Sequence, residues 1–379
     1  MVIIKKSSKD ILEISKRIEE SFMEVSFKPG RTVFIKPNLS GRQPITEGEN
    51  TTTYFLDALI LVLNKMNCEK IIIGHSSLLG TKDRSYPFEK IINDSGFSKY
   101  YKNKKIDLLN LDKAKKGKAE IGKFIFETPA KLKEVDSYIN LAKLKTHMET
   151  TISFSMKNQM GLLSETNRVN MHRNNLEELI AKLGSIVTPT INIVEGIVGM
   201  EGNGPHHGVD KEVDLFFVGK NMVEVDSVIS YLIDLNPNEV THLAEAQALG
   251  VGKIPNIDGL KKYDKFKFEF NKAVKFKKIG NKIFVWPTTS CSRCITALNE
   301  AGKEFRRPNK IFKLFISGFF GKEKHIIIGK GLPLKMPDNS KIICIGSCSG
   351  DLARKKSADC LKKCPPTVSE VKEYLTKQL

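Results

Sequence analysis

A largely parallel α/β sheet with helices on both faces, followed by a smaller α+β cysteine-rich C-terminal domain, is the fold class predicted for this chain of 379 residues. Three observations predict it. Short apolar runs recur through the first 260 residues, each followed by a polar or glycine-rich turn and then by apolar residues at helical spacing, the rhythm of βαβ units. Six of the seven cysteines fall in the last third. The charge divides at the same place: Lys and Arg number 34 against 33 Asp and Glu over residues 1–259, but 27 against 10 over residues 260–379.

The predicted strands of the first domain are, in order, Thr32–Ile35, Lys70–Ile73, Ser137–Leu141, Ile191–Val194 and Leu215–Val218. Between the first two lies a helix over Tyr54–Met66, with Phe55, Leu56, Leu59, Ile60 and Leu63 on one side. Cys68 reads as a buried small hydrophobe. Further helices are expected over Asn170–Leu183, from Asp226 (which reads as an N-cap before Val228, Ile229 and Leu232) and over Val240–Leu249. The domain boundary is drawn at 259/260, before a stretch in which Phe266, Phe268, Phe270 and Phe276 alternate with lysines as on a half-buried strand. The second domain, 260–379, should contain strands over Lys282–Val285, His325–Ile328 and Lys341–Ile345, and a terminal helix from near Thr367 capped by Ser369.

Ligands of open α/β sheets bind beyond the carboxyl ends of the strands, and those ends are rich in polar groups here. Lys36-Pro37-Asn38 follows the first strand, Gly74-His75-Ser76-Ser77 the second, Lys143-Leu-Lys145-Thr-His147 the third, and Glu195-Gly196 leads to Glu201 after the fourth. One lysine after a strand is usually plain surface. Several ends supplying lysine, asparagine, serine and histidine together would bind an anion such as a phosphate or carboxylate. Lys145, His147 and Glu201 are the catalytic candidates: a buried lysine loses proton affinity, and histidine exchanges protons near neutral pH. Lys36, Asn38, Ser76, Lys157, Asn158 and His172 are the substrate-binding candidates. His172 in its helix reads equally as a satisfied core residue. The glycines at 196–208 lack the G-x-G-x-x-G spacing of a dinucleotide fingerprint.

The set Ile-Lys36-Pro37-Asn38-Leu, Leu144-Lys145-Thr146-His147, Ser155-Met-Lys157-Asn158-Gln-Met-Gly161, Arg168 with His172, Gly199-Met-Glu201-Gly202-Asn203-Gly204-Pro205 and Val225-Asp226 resembles the uncharacterised family catalogued as domain of unknown function 362. Members of that family are described as iron–sulfur binding, without an established reaction. A looser resemblance in architecture is to the nickel-pincer lactate racemases, which bind a phosphorylated cofactor and a small hydroxy acid. It implies only that an anionic ligand is plausible.

The cysteines are the other functional clue. Cys291-Ser-Arg-Cys294 is a C-x-x-C pair, and Cys344, Cys348, Cys360 and Cys364 follow. Thiolates so spaced hold a 4Fe-4S cluster or a zinc ion. Proline after the last ligand cysteine favours the cluster, and Gly346-Ser-Cys348 with Cys364-Pro365-Pro366 is similar to cluster segments of nickel–iron hydrogenase small subunits. The family resemblance implies Cys291, Cys294, Cys348 and Cys364 as ligands. Lys363 stands where that pattern has glycine, and Cys344 and Cys360 are additional.

The N-terminal apolar run is too short for a signal peptide, and no segment reaches the ~18–20 apolar residues of a membrane span. A cytoplasmic location is therefore expected, where disulfides are rare. No nucleic-acid-binding module is visible in the basic region. A solvated lysine-rich face is its plain reading, and an acidic electron carrier such as a ferredoxin is the partner that also accounts for the cysteines. The expected function is an iron–sulfur oxidoreductase acting on an anionic small molecule. A non-redox isomerase or transferase with a structural cluster, and a cluster- or metal-carrying accessory binding protein, are the alternatives.

Overall fold

Alternation along the central strands sets the two faces of the main sheet. On β2 (Thr32–Pro37) Val33 and Ile35 enter one core while Phe34 enters the other, and the same split recurs with Ile71, Ile73 and Ile72. Strands buried on both faces read as short continuous apolar runs, which is why they are visible in the sequence. The computed structural model describes residues 1–40, 45–78, 87–204, 207–272, 277–279, 283–287, 292–305, 323–329 and 340–378. Phe276 and Cys291, both used above, lie outside the described residues.

The first unit runs β1 (Val2–Lys6), α1 (Ile11–Glu24), β2, α2 (Thr53–Lys65), β3 (Lys70–His75), α3 (Phe88–Asp94), β4 (Ile106–Asn110), the hairpin β5 (Lys116–Ile121) and β6 (Phe124–Pro129), then β7 (Ser137–His147) and β8 (Thr151–Ile152). It continues through α4 (Ser155–Asn158), α5 (Glu165–Arg173), α6 (Leu176–Ile186), β9 (Ile191–Asn203), β10 (His207–Gly219), α7 (Met222–Leu232) and α8 (Thr241–Ala248). The main sheet has the order β1-β10-β9-β7-β2-β3-β4. β9, β7, β2, β3 and β4 are parallel, while β10 and β1 add an antiparallel edge. α1 and α2 cover one face and α6, α7 and α8 the other. The amphipathic α1 starts where Asp10 accepts the Glu13 amide, and buries Ile14, Ile18 and Phe22.

Several expectations are corrected. β7 does not end at Leu141 but runs to His147, so Lys143, Lys145 and His147 are strand residues; β9 runs to Asn203 and takes in Glu201. The helix expected over Asn170–Leu183 is two, broken after Arg173. Asp226 lies inside α7, whose cap is Asn221. Among its described residues the Lys/Phe stretch forms no strand: Asp264–Phe266 is a 3-10 turn, and Phe270 enters the core of the first unit with Phe268 packed beside it. The two compact units divide after residue 273.

The second unit is a sheet of order β11-β12-β13-β14-β15, with β11 (Lys277–Ile279), β12 (Ile283–Pro287), β13 (Lys324–Ile328), β14 (Lys341–Ile345) and β15 (Asp359–Leu361). All but β11 are parallel. The helix Ser292–Phe305 follows β12, and Val368–Gln378 closes the chain. Thr367, not Ser369, caps that last helix: it accepts from the Glu370 amide at 3.2 Å while Glu370 accepts from its own amide at 2.9 Å. Among the described residues, no helix is long and apolar enough to cross a membrane.

Candidate functional site

β2 and β7 lie side by side in parallel, with Lys36 opposite Asn140, so their ends reach the same edge of the sheet. Lys36 is buried, and its Nζ donates to the Pro37 carbonyl at 2.6 Å. A Cβ on Gly161 would stand 2.7 Å from Lys36 Cε and Nζ, so any larger residue there would push that amine aside. Lys145 is buried too, and its Nζ donates to Asn38 Oδ1 at 2.7 Å and to the Glu49 carbonyl at 2.8 Å. Lys157 sits half-buried on α4. Among the described residues its amine has no hydrogen bond or ion pair. Arg168 is buried, donates to the Ser77 carbonyl at 2.7 Å and approaches Asp112 at 3.5 Å.

These four cations sense one another. Burial, the Arg168 guanidinium and the Lys145 ammonium bring Lys36 down to about 7. Burial brings Lys145 to about 7, with Glu49 opposing and Lys157 and Lys143 adding to the fall. Burial lowers Lys157 to about 8 against the pull of Glu149. His75 is held well below the usual imidazole range by burial, Lys36 and Arg168. Desolvation and like charge act together at this edge.

A chain of amides holds the lysines in place. Asn38 donates to Asn158 at 3.1 Å, Asn158 to Asn140 at 2.8 Å and Asn140 to Asn192 at 2.8 Å, so the run starting at Lys145 crosses from β2 to β9. Asn158 also donates to the Lys36 carbonyl at 3.1 Å, and Ser76 Oγ to the Gly161 carbonyl at 3.0 Å. Asp226 caps α4 from α7: its carboxylate accepts the Ser155 and Met156 amides, each at 2.9 Å. Burial pushes its proton affinity up to about 6, the Met156 amide and His242 opposing.

The histidines and Glu201 find different places. His147 Nδ1 accepts from the Glu149 and Thr150 amides at 3.1 and 3.3 Å, which leaves the neutral ring's proton on Nε2. His172 Nδ1 lies 3.3 Å from the Glu149 carboxylate. Glu149 thus joins His147, His172 and Lys157, and no spacing pattern pointed to it. Glu201 is engaged elsewhere, taking the Asn271 amide at 2.9 Å and its side-chain amide at 2.5 Å. A separate cavity of about 570 Å³ opens at the β4 edge between Ile106, Leu108, Lys115 and Lys131, and holds none of these groups.

In the second unit, parallel pairing carries the carboxyl ends of β12, β14 and β15 to one edge, and each is followed by motif cysteines. Gly346, at φ +97°, follows β14, and a Cβ there would lie 3.3 Å from Cys294 Sγ and 3.4 Å from Cys348 Sγ. The loop of Cys348 is sewn to that of Cys364 by Gly346 N to the Leu361 carbonyl, 3.0 Å, and Ser347 N to the Lys363 carbonyl, 3.1 Å. Cys344 and Cys360 pair in register within the sheet. Burial pushes the Cys344 thiol up to about 12, with Cys360 and Cys348 adding to it. Among the described residues no three His, Cys, Asp or Glu side chains form a ready metal group. Two sulfurs converging beside a glycine, with a third cysteine on the adjoining loop, fit a thiolate-held group. Cys68 is buried in the first unit, as expected, with its thiol on the Arg31 and Lys70 carbonyls.

The family model described as Domain of unknown function (DUF362) matches residues 33–231, more than half of the chain. The chain belongs to this family. Every candidate of the lysine edge lies within the DUF362 region, and the cysteines of the second unit lie outside it. Over 124 residues the chain is 30% identical to a thylakoid-associated protein of Synechocystis sp., a match that takes in 31% of this chain and 39% of that relative. The matched stretch thus spans about two-fifths of the length of that relative. Among solved structures, a Thermotoga maritima protein is 9% identical with a TM-score of 0.39, covering 94% of this chain and 93% of its own. The lactate racemase apoprotein of Thermoanaerobacterium thermosaccharolyticum is 10% identical with a TM-score of 0.39, covering 98% and 79%.

Proposed function

We propose that this DUF362 member is an iron–sulfur oxidoreductase acting on an anionic small molecule, with electrons exchanged with an acidic carrier protein. The observation that carries the reading is the gathering of Lys36, Lys145, Lys157 and Arg168 at one sheet edge, three of them with lowered proton affinity. Burying cations together is unfavourable unless an anion joins them. A phosphate or carboxylate would accept from the lysine amines, and its charge would restore their protons. Asn38 and Asn158 would hold its orientation through the amide chain.

Cys291, Cys294, Cys348 and Cys364 would hold a 4Fe-4S cluster, with zinc as the rival occupant. Such a cluster supplies one-electron transfer at a potential set by its surroundings. The excess of Lys and Arg over residues 260–379 would draw in an acidic carrier.

A non-redox isomerase or transferase is the second reading, favoured by the Glu149–His172 pair beside lysines of lowered proton affinity, since acid–base chemistry needs no electrons. Anaerobic purification with iron, sulfide and zinc analysis tests the cluster; stoichiometric zinc without sulfide overturns it. Calorimetric titration with inorganic phosphate and with oxalate tests the anion site. Affinities that do not change in Lys36→Met and Lys145→Met overturn that half.

A further inference from the structure

We propose that Lys157 is a nucleophilic amine that forms an imine with a small carbonyl-bearing anion, a keto or aldehydo acid, and that Glu149 with His172 moves the protons of that step. The proposal rests on the anion reading of the lysine edge and names its substrate class.

The four cations of that edge are not equivalent. Lys36 Nζ is spent on the Pro37 carbonyl, Lys145 Nζ on Asn38 and the Glu49 carbonyl, and Arg168 on Ser77 and Asp112. Among the described residues only Lys157 of the four has neither a hydrogen bond nor an ion pair. As a residue it is also the least buried of the three lysines, since Lys36 and Lys145 are 1% and 2% exposed. The engaged cations are placed to bind a carboxylate; the unengaged amine is placed to react.

Its mounting suits that task. α4 is a single turn, yet Asp226 holds its first two amides at 2.9 Å and Asn158 bonds the Lys36 carbonyl and Asn140. A reacting group gains from a backbone fixed in this way. Burial lowers the proton affinity of the amine, so a larger fraction carries a free lone pair at neutral pH than for a surface lysine. Glu149 is near enough to Lys157 to oppose that fall, and its carboxylate lies 3.3 Å from His172 Nδ1. That contact stabilises the imidazolium and fixes a proton on Nδ1.

The step balances without an oxidant. The Nζ lone pair adds to the carbonyl carbon, and the carbonyl oxygen takes a proton to give a carbinolamine. Nitrogen passes a proton to the Glu149–His172 pair, the hydroxyl takes one from it, and water leaves. That water carries away the carbonyl oxygen, one amine proton and one proton given up by the Glu149–His172 pair, and a protonated imine that keeps the other amine proton remains.

Glyoxylate with sodium cyanoborohydride, followed by peptide mass mapping of the intact chain, is the test. Lys157 should be alkylated about ten-fold faster than surface lysines at pH 7, Glu149→Gln should slow it by about ten-fold and flatten its pH–rate profile, and Lys157→Arg should carry no adduct in that peptide. Propionaldehyde, which lacks the carboxylate, is the second arm. Equal rates with both aldehydes would keep the imine and overturn the anion reading. Labelling of Lys157 no faster than surface lysines by either aldehyde, with phosphate still bound, overturns the imine and leaves the anion reading. First labelling at Lys36 or Lys145 also overturns it.

Discussion

Lys143 and Glu195 form an ion pair 2.8 Å long in which neither side chain is exposed to solvent. They sit opposite one another on the parallel strands β7 and β9, and the same carboxylate takes the Thr52 hydroxyl at 2.7 Å and its amide at 3.1 Å. Glu195 thereby fixes the residue that caps α2. Breaking a buried pair strands one charge, so Glu195→Gln should destabilise the fold by about 3–5 kcal/mol in urea denaturation. Lys143→Met with Glu195→Leu should cost less than the two single changes together. A loss under about 1 kcal/mol for Glu195→Gln would show that water reaches Lys143.

Lys36 and Lys145 carry the clearest pH dependence. In the folded chain they release a proton near 7, against an ordinary value of 10.5. Between those values the unfolded chain binds more protons, so stability rises with pH from about 7 to about 10.5. Thermal melts should climb over that window, at ~2–4 °C per kcal/mol for a unit of this size, and climb less in Lys36→Met. Phosphate binding at pH 8 should take up protons, read by titration in buffers of different ionisation enthalpy. Binding with no proton uptake would place the anion away from both lysines.

Asp226 and Gly161 act through position. Asp226→Asn keeps one acceptor for two amides and should cost about 1–3 kcal/mol while weakening phosphate binding. Asp226 has its proton affinity raised to about 6 from 3.8. Between those values the folded chain holds the extra proton, so this residue's contribution is full below about 4 and is lost as pH rises through 6; Asp226→Asn should flatten that slope. Gly161→Ala would meet Lys36 Cε and Nζ at 2.7 Å and should lower phosphate affinity while leaving the cysteine unit unchanged.

For the cysteines, the anaerobic protein should contain iron and acid-labile sulfide in near-equal amounts, about four each. Cys294→Ser, Cys348→Ser and Cys364→Ser should each lose the brown chromophore, and Cys68→Ser should keep it. Gly346→Ala is the sharper variant, because its methyl would stand 3.3–3.4 Å from two sulfurs at a φ of +97° that disfavours any side chain. It should reduce iron content without removing a thiol. Unchanged iron in Gly346→Ala would move the site away from Cys294 and Cys348.

If the basic C-terminal region recruits an acidic carrier, its association with a ferredoxin should weaken steeply between low and physiological salt, where screening acts beyond about 8–10 Å. Tighter binding to duplex DNA than to the carrier would reverse the choice of partner.

What was legible in the sequence was whatever depends on local pattern. Val33-Phe-Ile35 and Ile71-Ile-Ile73 announce buried strands because both of their faces are apolar. Lys36, Asn38, Lys145 and Lys157 were legible as candidates because charged groups at strand ends are conspicuous. Glu149 was not: a glutamate shortly after a strand resembles any surface residue until His172, 23 residues on, folds against it. The strand ends at Leu141 and Val194 were misjudged because polar residues in β7 and β9 break the apolar run, although Lys143 and Glu195 neutralise each other across the sheet. The Phe266–Phe270 stretch misled for the opposite reason: its alternation reflects packing onto the first unit's core, not pairing in the second sheet.

By itself the sequence determined the α/β class, the concentration of six of the seven cysteines and of the net positive charge in the last third, and the residue types able to bind an anion or a metal. These follow from composition and from the periods of helix and strand, which operate over a few residues. Only the tertiary structure decided which of those residues meet. Parallel pairing of β2 with β7 joins Lys36 to Asn158 across 122 residues, and Asp226 reaches back 71 residues to cap the turn that bears Lys157. Proton affinities near 7 at Lys36 and Lys145 arise first from burial, with Arg168 and Lys145 adding to the fall at Lys36, and Lys157 and Lys143 adding to it at Lys145. Those are properties of packing, which is non-local, and no short-range pattern encodes them.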